Sequence, residues 1–280
     1  LGFLKFDEPF LRLFNQGMLH GEDGFVMSKS RGNDVLPEKV SEKYGIDTAR
    51  LFLVSIASTD KDIQWSDKGV EGSLRFINKV IDYFSKAKFG KFNRANDKMS
   101  FARTESKLNK TIKEVTSNIE NFQYNFAAIK IREFFGYLER STDRRTAEIF
   151  LKLLSPFCPH IAEELWHKLG NKTFLSLEKW PEADEKKINP EFEKEEKIVE
   201  DAINDINNVS NIIKNKGKNV TKLYLYVLPN ESGIYTNNLE LIAKRTNLDV
   251  KVYSVADKGK YDPENKSRKV KPGKPGIYLE

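Results

Sequence analysis

The sequence predicts a multi-domain chain in which a turn-rich opening segment leads into an all-α helical bundle and then into a small α+β domain. Glycine and proline interrupt residues 1–47 at short intervals, which is typical of turns between short extended pieces. Apolar residues recur every three or four positions across residues 48–170, as they do in amphipathic helices. Beyond residue 220 apolar residues alternate with others, which is typical of strands. These changes in pattern predict the boundaries 1–47, 48–180 and 181–280.

The composition is that of a folded protein outside a membrane. Of the 280 residues, 39% are hydrophobic and 31% are charged, which is too apolar for a disordered chain and too charged for a membrane protein. The single cysteine, Cys158, excludes an intrachain disulfide and a cysteine-based zinc cage. We therefore expect no membrane partner, no bound zinc or other metal, and a cytoplasmic location. The first residues are not those of a signal peptide and include no initiator methionine, so we expect the chain to start inside a longer protein.

Local sequence signals mark the turns and the helix starts of the first 130 residues. Residues 21–24, with glycine at both ends, predict a tight turn. Asp47 and Thr48 can cap the first helix of the bundle, and four or five helices with short joins suit an up-and-down arrangement. One long amphipathic stripe is predicted from residues spaced by three and four, with a separate helix after it: Leu108, Ile112, Val115, Ile119, Phe122, Phe126 and Ile129.

The last part of the chain is predicted to mix helices and strands. The many charges of residues 182–201 predict a solvated linker that runs into a helix. Strands are predicted at 221–228, 249–255 and 276–279, and a helix at 239–245. This order of elements indicates a small α+β domain.

The sharpest chemical signal is a short basic loop, Val26-Met27-Ser28-Lys29-Ser30-Arg31-Gly32-Asn33. Two serine hydroxyls flank the ammonium group of Lys29, and Arg31 adds a second cation. Such a loop could hold phosphate oxygens through charge-assisted hydrogen bonds. An exposed basic loop without a ligand has the same composition, so the composition leaves both interpretations open.

The same loop resembles the KMSKS signature of the class I aminoacyl-tRNA synthetases, which follows the last part of a Rossmann-type catalytic domain. The resemblance implies that residues 1–47 end such a domain and that the loop closes over ATP, which enters with Mg²⁺. It implies that Lys29 is catalytic and stabilises the pyrophosphate while the amino-acid carboxylate attacks the α-phosphate. The ATP-binding residues that it implies are Met27, Ser28, Lys29, Ser30 and Arg31. Val26 replaces the first lysine of the signature.

Further stretches extend the resemblance over nearly the whole chain. Residues 44–52 are similar to the Leu/Ile/Val/Met subgroup of these enzymes, and residues 153–166 to a helix junction in the anticodon-binding-type bundle of that subgroup. Residues 14–19 and 63–76 are similar to its leucyl-tRNA synthetases, and 274–280 to the tail of archaeal-type leucyl enzymes. The resemblance implies the C-terminal part of an enzyme that ligates leucine to tRNA(Leu) with ATP through leucyl-adenylate. Leucine would bind through an N-terminal half that the chain lacks. Because no HIGH-type motif is present, we expect the chain alone to be inactive.

The tail also carries a concentration of positive charge. Residues 257–274 hold seven basic and three acidic residues, as a solvated loop also can. The family resemblance favours contacts to the phosphates of tRNA. The residues predicted to make them are Lys266, Arg268, Lys269, Lys271 and Lys274.

Two alternative functions stay open at this point. The first is an isoleucyl or valyl enzyme of the same subgroup, which the pattern of residues 65–72 argues against. The second is a non-catalytic tRNA-binding module in which the loop is a relic, and Val26 is the feature that favours it.

Overall fold

A computed structural model describes residues 2–8, 10–87, 89, 98–138, 143–215, 217 and 219–280. The chain divides into two compact units, Leu1–Ile188 and Asn189–Glu280. The finer division into 1–47, 48–180 and 181–280 stays a prediction.

The described part of the first unit contains a small pair of parallel strands and seven helices. The strands are β1 (Leu19–His20) and β2 (Ile63–Gln64). The helices are α1 (Pro37–Tyr44), α2 (Ile46–Ser55), α3 (Asp67–Lys86), α4 (Lys98–Glu120), α5 (Tyr124–Leu138), α6 (Arg144–Leu154) and α7 (Pro159–Lys168). The apolar faces of α2 to α7 meet in one core that includes Leu108, Phe134, Phe150 and Leu165, so the predicted helical bundle is confirmed.

Short polar side chains fix where two of these helices begin. The Ser66 hydroxyl accepts a hydrogen bond from the Gly69 amide, with 3.3 Å between Oγ and N, at the start of α3. The Asp143 carboxylate accepts one from the Thr146 amide at 2.9 Å, at the start of α6. Each bond satisfies an amide that has no acceptor within its own helix.

The predicted stripe from Leu108 to Ile129 is wrong in its second half. The chain turns after α4, where Phe122 has a φ of +59°, and α5 then begins at Tyr124. Phe126 and Ile129 therefore lie outside the core, with 49% and 42% of their surface exposed. The buried residues of α5 run from Ala127 to Leu138. The helix that was predicted to follow residue 129 is therefore part of α5. Apolar spacing alone cannot reveal this turn because it continues across the break.

The second unit is an α+β domain, as predicted. It contains α8 (Pro190–Asn215), β3 (Lys222–Val227), α9 (Ser232–Asn237), α10 (Leu239–Thr246), β4 (Asp249–Ser254) and β5 (Gly276–Leu279). Helix α9 was not expected from the sequence, and α8 already begins inside the segment that was predicted to be a linker.

The three strands of the second unit form one mixed sheet in the order β4-β3-β5. Strand β3 runs parallel to β4 and antiparallel to β5. One face of β3 carries Leu223, Leu225 and Val227, which are buried in a core with residues of α8, α9 and α10. The other face of β3 carries Tyr224 and Tyr226, as the alternation predicted.

Candidate functional site

The basic loop is built around a single turn of 3-10 helix. Residues Lys29–Arg31 form the turn, and the backbone amides of Arg31 and Gly32 both donate to the Ser28 carbonyl, at 3.0 and 3.1 Å. Gly32 ends the turn with a φ of +69°, a left-handed conformation that glycine adopts without the strain a side chain adds. The loop therefore has a defined backbone shape in the free chain.

The side chain of Asn33 ties the two ends of this loop together. Its Oδ1 accepts a hydrogen bond from the Ser28 amide at 2.9 Å. Its Nδ2 donates to both carboxylate oxygens of Asp23, at 3.2 and 3.1 Å. A hydrogen bond from the Phe25 amide, followed by that from Asn33, lowers the pKa of Asp23. Asp23 therefore acts as an ionised acceptor that holds the Asn33 amide group in place.

Met27 anchors the loop to an apolar cluster beneath it. Its side chain packs against a small buried group: Val40, Ala49, Phe52, Trp65 and Val70. Its backbone amide donates to the Leu19 carbonyl at 2.9 Å, which attaches the loop to the end of β1. The contact of Met27 with ATP stays a prediction, and the contacts that the structure describes attach Met27 to this cluster and to β1.

The polar side chains of the loop face solvent. Lys29, Ser30 and Arg31 are exposed, and the hydroxyl oxygens of Ser28 and Ser30 lie 2.7 Å apart. The Arg31 guanidinium lies 4.9 Å from the centroid of the Phe25 ring, a cation–π distance that orients this cation. In the part of the chain that the structure describes, no carboxylate is paired with the Lys29 ammonium. Its charge is thus available to an anionic ligand.

His20 supports the same region and was missed by the sequence reasoning. Its Nδ1 lies 2.8 Å from the Gly24 carbonyl, and its Nε2 lies 3.4 Å from the Asp62 carboxylate. The hydrogen bond to Gly24, and to a lesser degree Asp62, raises the pKa of His20. His20 therefore connects the turn before the loop to the segment before β2. No signal in the sequence pointed to this pairing, because its two members are far apart in the chain.

A buried carboxylate connects the end of this region to the helical core. Asp47 is 3% exposed, and its Oδ2 accepts a hydrogen bond from the Ile161 amide at the start of α7. Asp47 was expected to cap α2, but it lies inside the first turn of α2, which Gly45 precedes. Arg50 adds a second link, since its guanidinium donates to the Pro156 carbonyl at 3.1 Å.

Cys158 lies next to this link and is chemically protected. It is fully buried, and this burial raises the pKa of its thiol to about 12. A thiol that stays protonated at neutral pH is a poor nucleophile and a poor metal ligand. Cys158 is thus part of the packing of the core.

The five basic residues predicted to contact tRNA lie on one stretch of the second unit. Another 3-10 turn, Lys266–Lys269, is held by Asp262, whose carboxylate accepts hydrogen bonds from the amides of Lys266 and Ser267 at 2.7 and 3.0 Å. Lys271 and Lys274 face each other across a tight turn through two backbone hydrogen bonds. Of the five basic side chains, Lys266 is half-buried and pairs with Glu264 at 3.1 Å. The other four are exposed.

Two further classes of site are absent from the described residues. No group of three or more histidine, cysteine, aspartate or glutamate side chains among them is arranged to hold a metal ion. No helix among them is long and apolar enough to cross a membrane.

Two family models match the chain. The model for the anticodon-binding domain of tRNA ligase matches residues 104–225. The model for class I tRNA synthetases of the I, L, M and V group matches residues 3–66, which include the basic loop.

Individual relatives match over a longer stretch. The leucine–tRNA ligase of Fervidobacterium nodosum is 40% identical over 215 residues, which are 71% of this chain and 26% of that protein. The leucine–tRNA ligase of Thermosipho melanesiensis is 40% identical over 203 residues, 66% of this chain and 24% of that protein. The chain thus spans about a quarter of the length of the curated relatives it matches.

A solved structure is similar in fold as well as in sequence. It is the ternary complex of Agrobacterium radiobacter K84 agnB2 LeuRS with tRNA and LeuAMS. It has 28% sequence identity and a TM-score of 0.59, and the match covers 67% of this chain and 26% of that one.

Proposed function

This chain belongs to the leucyl branch of the class I aminoacyl-tRNA synthetases, and we propose that it forms the C-terminal region of an enzyme that ligates leucine to tRNA(Leu) through leucyl-adenylate. The predicted fold class is confirmed by the two family models and the structural match. The alternatives, an isoleucyl or valyl enzyme or a non-catalytic module, are not favoured, because the relatives are leucine–tRNA ligases.

The observation that carries the proposal is the preformed basic loop. The Met27 side chain at the start of the loop packs in the cluster with Trp65, whereas Lys29 and Ser30 are exposed to solvent. During adenylate formation, negative charge shifts onto the departing pyrophosphate of ATP. A preorganised ammonium group aimed at that charge stabilises the transition state more than the bound substrate. We propose that Lys29 has this role and that Ser28, Ser30 and Arg31 add hydrogen bonds to the phosphates.

The remaining substrates follow from the same proposal. ATP would enter with Mg²⁺, which supplies further positive charge at the phosphates. Leucine would bind in the part of the enzyme that this chain does not include. The helical core and the second unit would hold tRNA(Leu), with the basic stretch of the second unit close to its phosphates. Since ligation of this kind serves protein synthesis, we expect the enzyme to act in the cytoplasm.

A chimeric enzyme tests the proposal directly. In the Fervidobacterium nodosum relative, the region that matches this chain would be replaced by the 280 residues. We expect leucine-dependent exchange of pyrophosphate into ATP, because the relative supplies the leucine site and the 280 residues supply the basic loop. A folded chimera that binds tRNA(Leu) but exchanges no pyrophosphate would support the relic interpretation of the loop. The 280 residues alone are expected to show no exchange, as predicted from the lack of a HIGH-type motif.

A further inference from the structure

The outer face of the sheet in the second unit is made of tyrosines. Tyr224 and Tyr226 of β3 point away from the helices, and Tyr253 of β4 and Tyr278 of β5 stand beside them in register. Tyr261, from the segment after β4, completes the group. This set of five residues is called the tyrosine face below.

The five rings form one connected group with Tyr224 at its centre. The centroid of the Tyr224 ring lies 6.3 Å from that of Tyr253, 5.1 Å from Tyr261 and 5.8 Å from Tyr278. The rings of Tyr224 and Tyr253 are nearly parallel, with 11° between their planes. Each of these rings except that of Tyr226 contacts at least two other rings of the group.

One end of the tyrosine face is covered and the other is open. Gly276 leaves room on the sheet for the backbone of Lys266, whose carbonyl oxygen would lie 2.5 Å from a Cβ at that position. At this covered end the Tyr226 hydroxyl donates to the Tyr261 carbonyl, and Tyr226 is fully buried. Tyr261 itself is 45% exposed, and Tyr253 and Tyr278 are half-buried. A flat apolar ligand could therefore reach Tyr261, Tyr253 and Tyr278, whereas the rings of Tyr224 and Tyr226 are buried beneath them.

Charged side chains of both signs lie around the tyrosine face, with Glu264 and Asp262 close enough to act on Tyr278 and Tyr226. Lys251 is exposed and lies in register with Tyr224, hence on the same face of the sheet. Arg268 and Lys269 are exposed on the 3-10 turn that covers the Gly276 end. Acidic groups are present as well: Glu280 accepts the Tyr224 hydroxyl at 3.3 Å, and Asp249 is paired in register with Lys222. Aromatic rings with cations among the neighbouring charges fit a ligand that combines flat bases with phosphates.

We propose that the tyrosine face binds unpaired nucleobases of an RNA by stacking, while the neighbouring lysine and arginine side chains contact its phosphates. Proteins read single-stranded or looped RNA in this way, because aromatic rings on a sheet stack on exposed bases whatever their sequence. Fully paired RNA offers no free base face to these rings, so the ligand is a loop or a terminus. The inference rests on the proposed function, because the RNA is taken to be the tRNA that the enzyme ligates.

Two probes separate base stacking from charge attraction. The full chain would be titrated with a fluorescent tRNA(Leu) transcript, and with heparin as a polyanion that has no bases. The variant is Tyr261→Ala, since its backbone carbonyl, which accepts the bond from Tyr226, is retained. Tyr261→Phe keeps the ring and removes the hydroxyl. Phe174→Ala removes an aromatic ring that is 60% exposed in the other unit and serves as the matched control.

We expect Tyr261→Ala to weaken tRNA binding by about 5- to 100-fold, as loss of one stacked base does. Heparin affinity and the salt dependence of tRNA binding should not change, because stacking displaces no counterions. Tyr261→Phe and Phe174→Ala should bind tRNA like the original chain. Thermal unfolding would verify that the variants are folded.

Two results would overturn the inference while leaving the proposed function intact. One is unchanged tRNA affinity of Tyr261→Ala, and the other is an equal loss of affinity for tRNA and heparin in that variant. If the original chain bound neither tRNA nor heparin, the proposed tRNA contact would fail together with the inference.

Discussion

The carboxylate of Asp47 accepts a hydrogen bond from the backbone amide of Ile161, with 2.8 Å between Oδ2 and N. The two residues are 114 positions apart in the chain. Asp47 lies in the first turn of α2, shortly after the basic loop, and Ile161 lies in the first turn of α7. A negative charge at this place also interacts favourably with the N-terminal end of the α7 dipole. The bond thus attaches the loop region to the helical core.

Replacement of Asp47 should destabilise the first unit. Asp47→Ala leaves the Ile161 amide without its acceptor, and an unsatisfied polar group in a buried site costs about 1–3 kcal/mol. Asp47→Asn keeps an acceptor oxygen and should cost less. All three tryptophans, Trp65, Trp166 and Trp180, lie in the first unit, so urea unfolding followed by tryptophan fluorescence reports on it. Glu71→Ala, an exposed acid on α3, is the control. Equal unfolding midpoints for Asp47→Ala and the original chain would contradict a stabilising bond.

Loss of the Lys29 ammonium should slow adenylate formation in the chimeric enzyme. We expect Lys29→Ala to lower kcat by about 10²–10³, the usual effect of removing one preorganised electrostatic interaction. The KM for leucine should change little, because the interaction is made mainly in the transition state. Val26→Lys should have a smaller effect, since Lys29 and Arg31 already supply positive charge. Lys39→Ala, an exposed lysine on α1, controls for a general effect of charge. Exchange by Lys29→Ala near the unmodified rate would reject the role.

Removal of the Asn33 side chain should loosen the loop without unfolding the unit. Asn33→Ala removes the acceptor of the Ser28 amide and the donor to Asp23. We therefore expect faster hydrogen exchange at the Ser28 amide. Asn33→Asp keeps an acceptor but places a second carboxylate against Asp23, so at neutral pH it should disturb the loop more than alanine does. If only the shape of the side chain mattered and not its charge, Asn33→Asp would disturb the loop less than Asn33→Ala.

Neutralisation of the basic stretch should weaken tRNA binding and reduce its dependence on salt. Arg268, Lys269 and Lys271 are exposed, and the salt slope should fall by about 0.9 for each duplex phosphate that these side chains no longer neutralise. The measurement is tRNA affinity over a range of salt concentrations for the triple glutamine variant. Adenylate formation in the chimera should be unchanged, since it depends on the Lys29 loop. If the triple variant had unchanged tRNA affinity at low and high salt, this stretch would be a solvated loop that does not contact tRNA.

Acid should remove one contribution to the stability of the first unit. Glu105 is buried and pairs with Lys187, with 2.9 Å between Oε2 and Nζ, and with Arg145. Burial by itself raises the pKa of Glu105, but the hydrogen bond from Lys187 and the charge of Arg145 outweigh it, and the net pKa is lowered.

Because the folded pKa of Glu105 lies below the unfolded value of about 4.3, its contribution is complete above that value and is lost as the pH falls through the folded pKa. Glu105→Gln should therefore be less stable than the original chain at neutral pH, and the difference should shrink below about pH 4. A difference in unfolding free energy that stays constant from neutral pH into this acid range would contradict the linkage.

Local patterns predicted those parts of the structure that depend on local forces. The turn at residues 21–24 is held by the Gly24 amide, which donates to the Gly21 carbonyl at 3.0 Å. Strand β3 has its apolar and tyrosine faces where the alternation placed them. The basic loop could be predicted because its characteristic residues are consecutive in the chain.

The contacts between distant residues could not be predicted from the sequence. Asp47 carries no signal that it accepts the amide of Ile161, and an acid at a helix start is usually a cap of its own helix. The pairing of β1 with β2 involves two residues from each strand, too few for a periodic pattern. The tyrosine face required the register of three strands, which no single stretch of sequence contains.

The pairing of β1 with β2 also has a consequence for the order of folding. The Ile63 amide donates to the Met18 carbonyl at 2.9 Å, and the Trp65 amide to the His20 carbonyl at 2.8 Å. Helices α1 and α2 lie between these two strands and are made of local contacts, which form early. During synthesis the pairing of β1 with β2 cannot be completed until Trp65 has left the ribosome. We therefore expect the segment that we propose to handle ATP to gain its full set of contacts only after the residues of α1 and α2 have been synthesised.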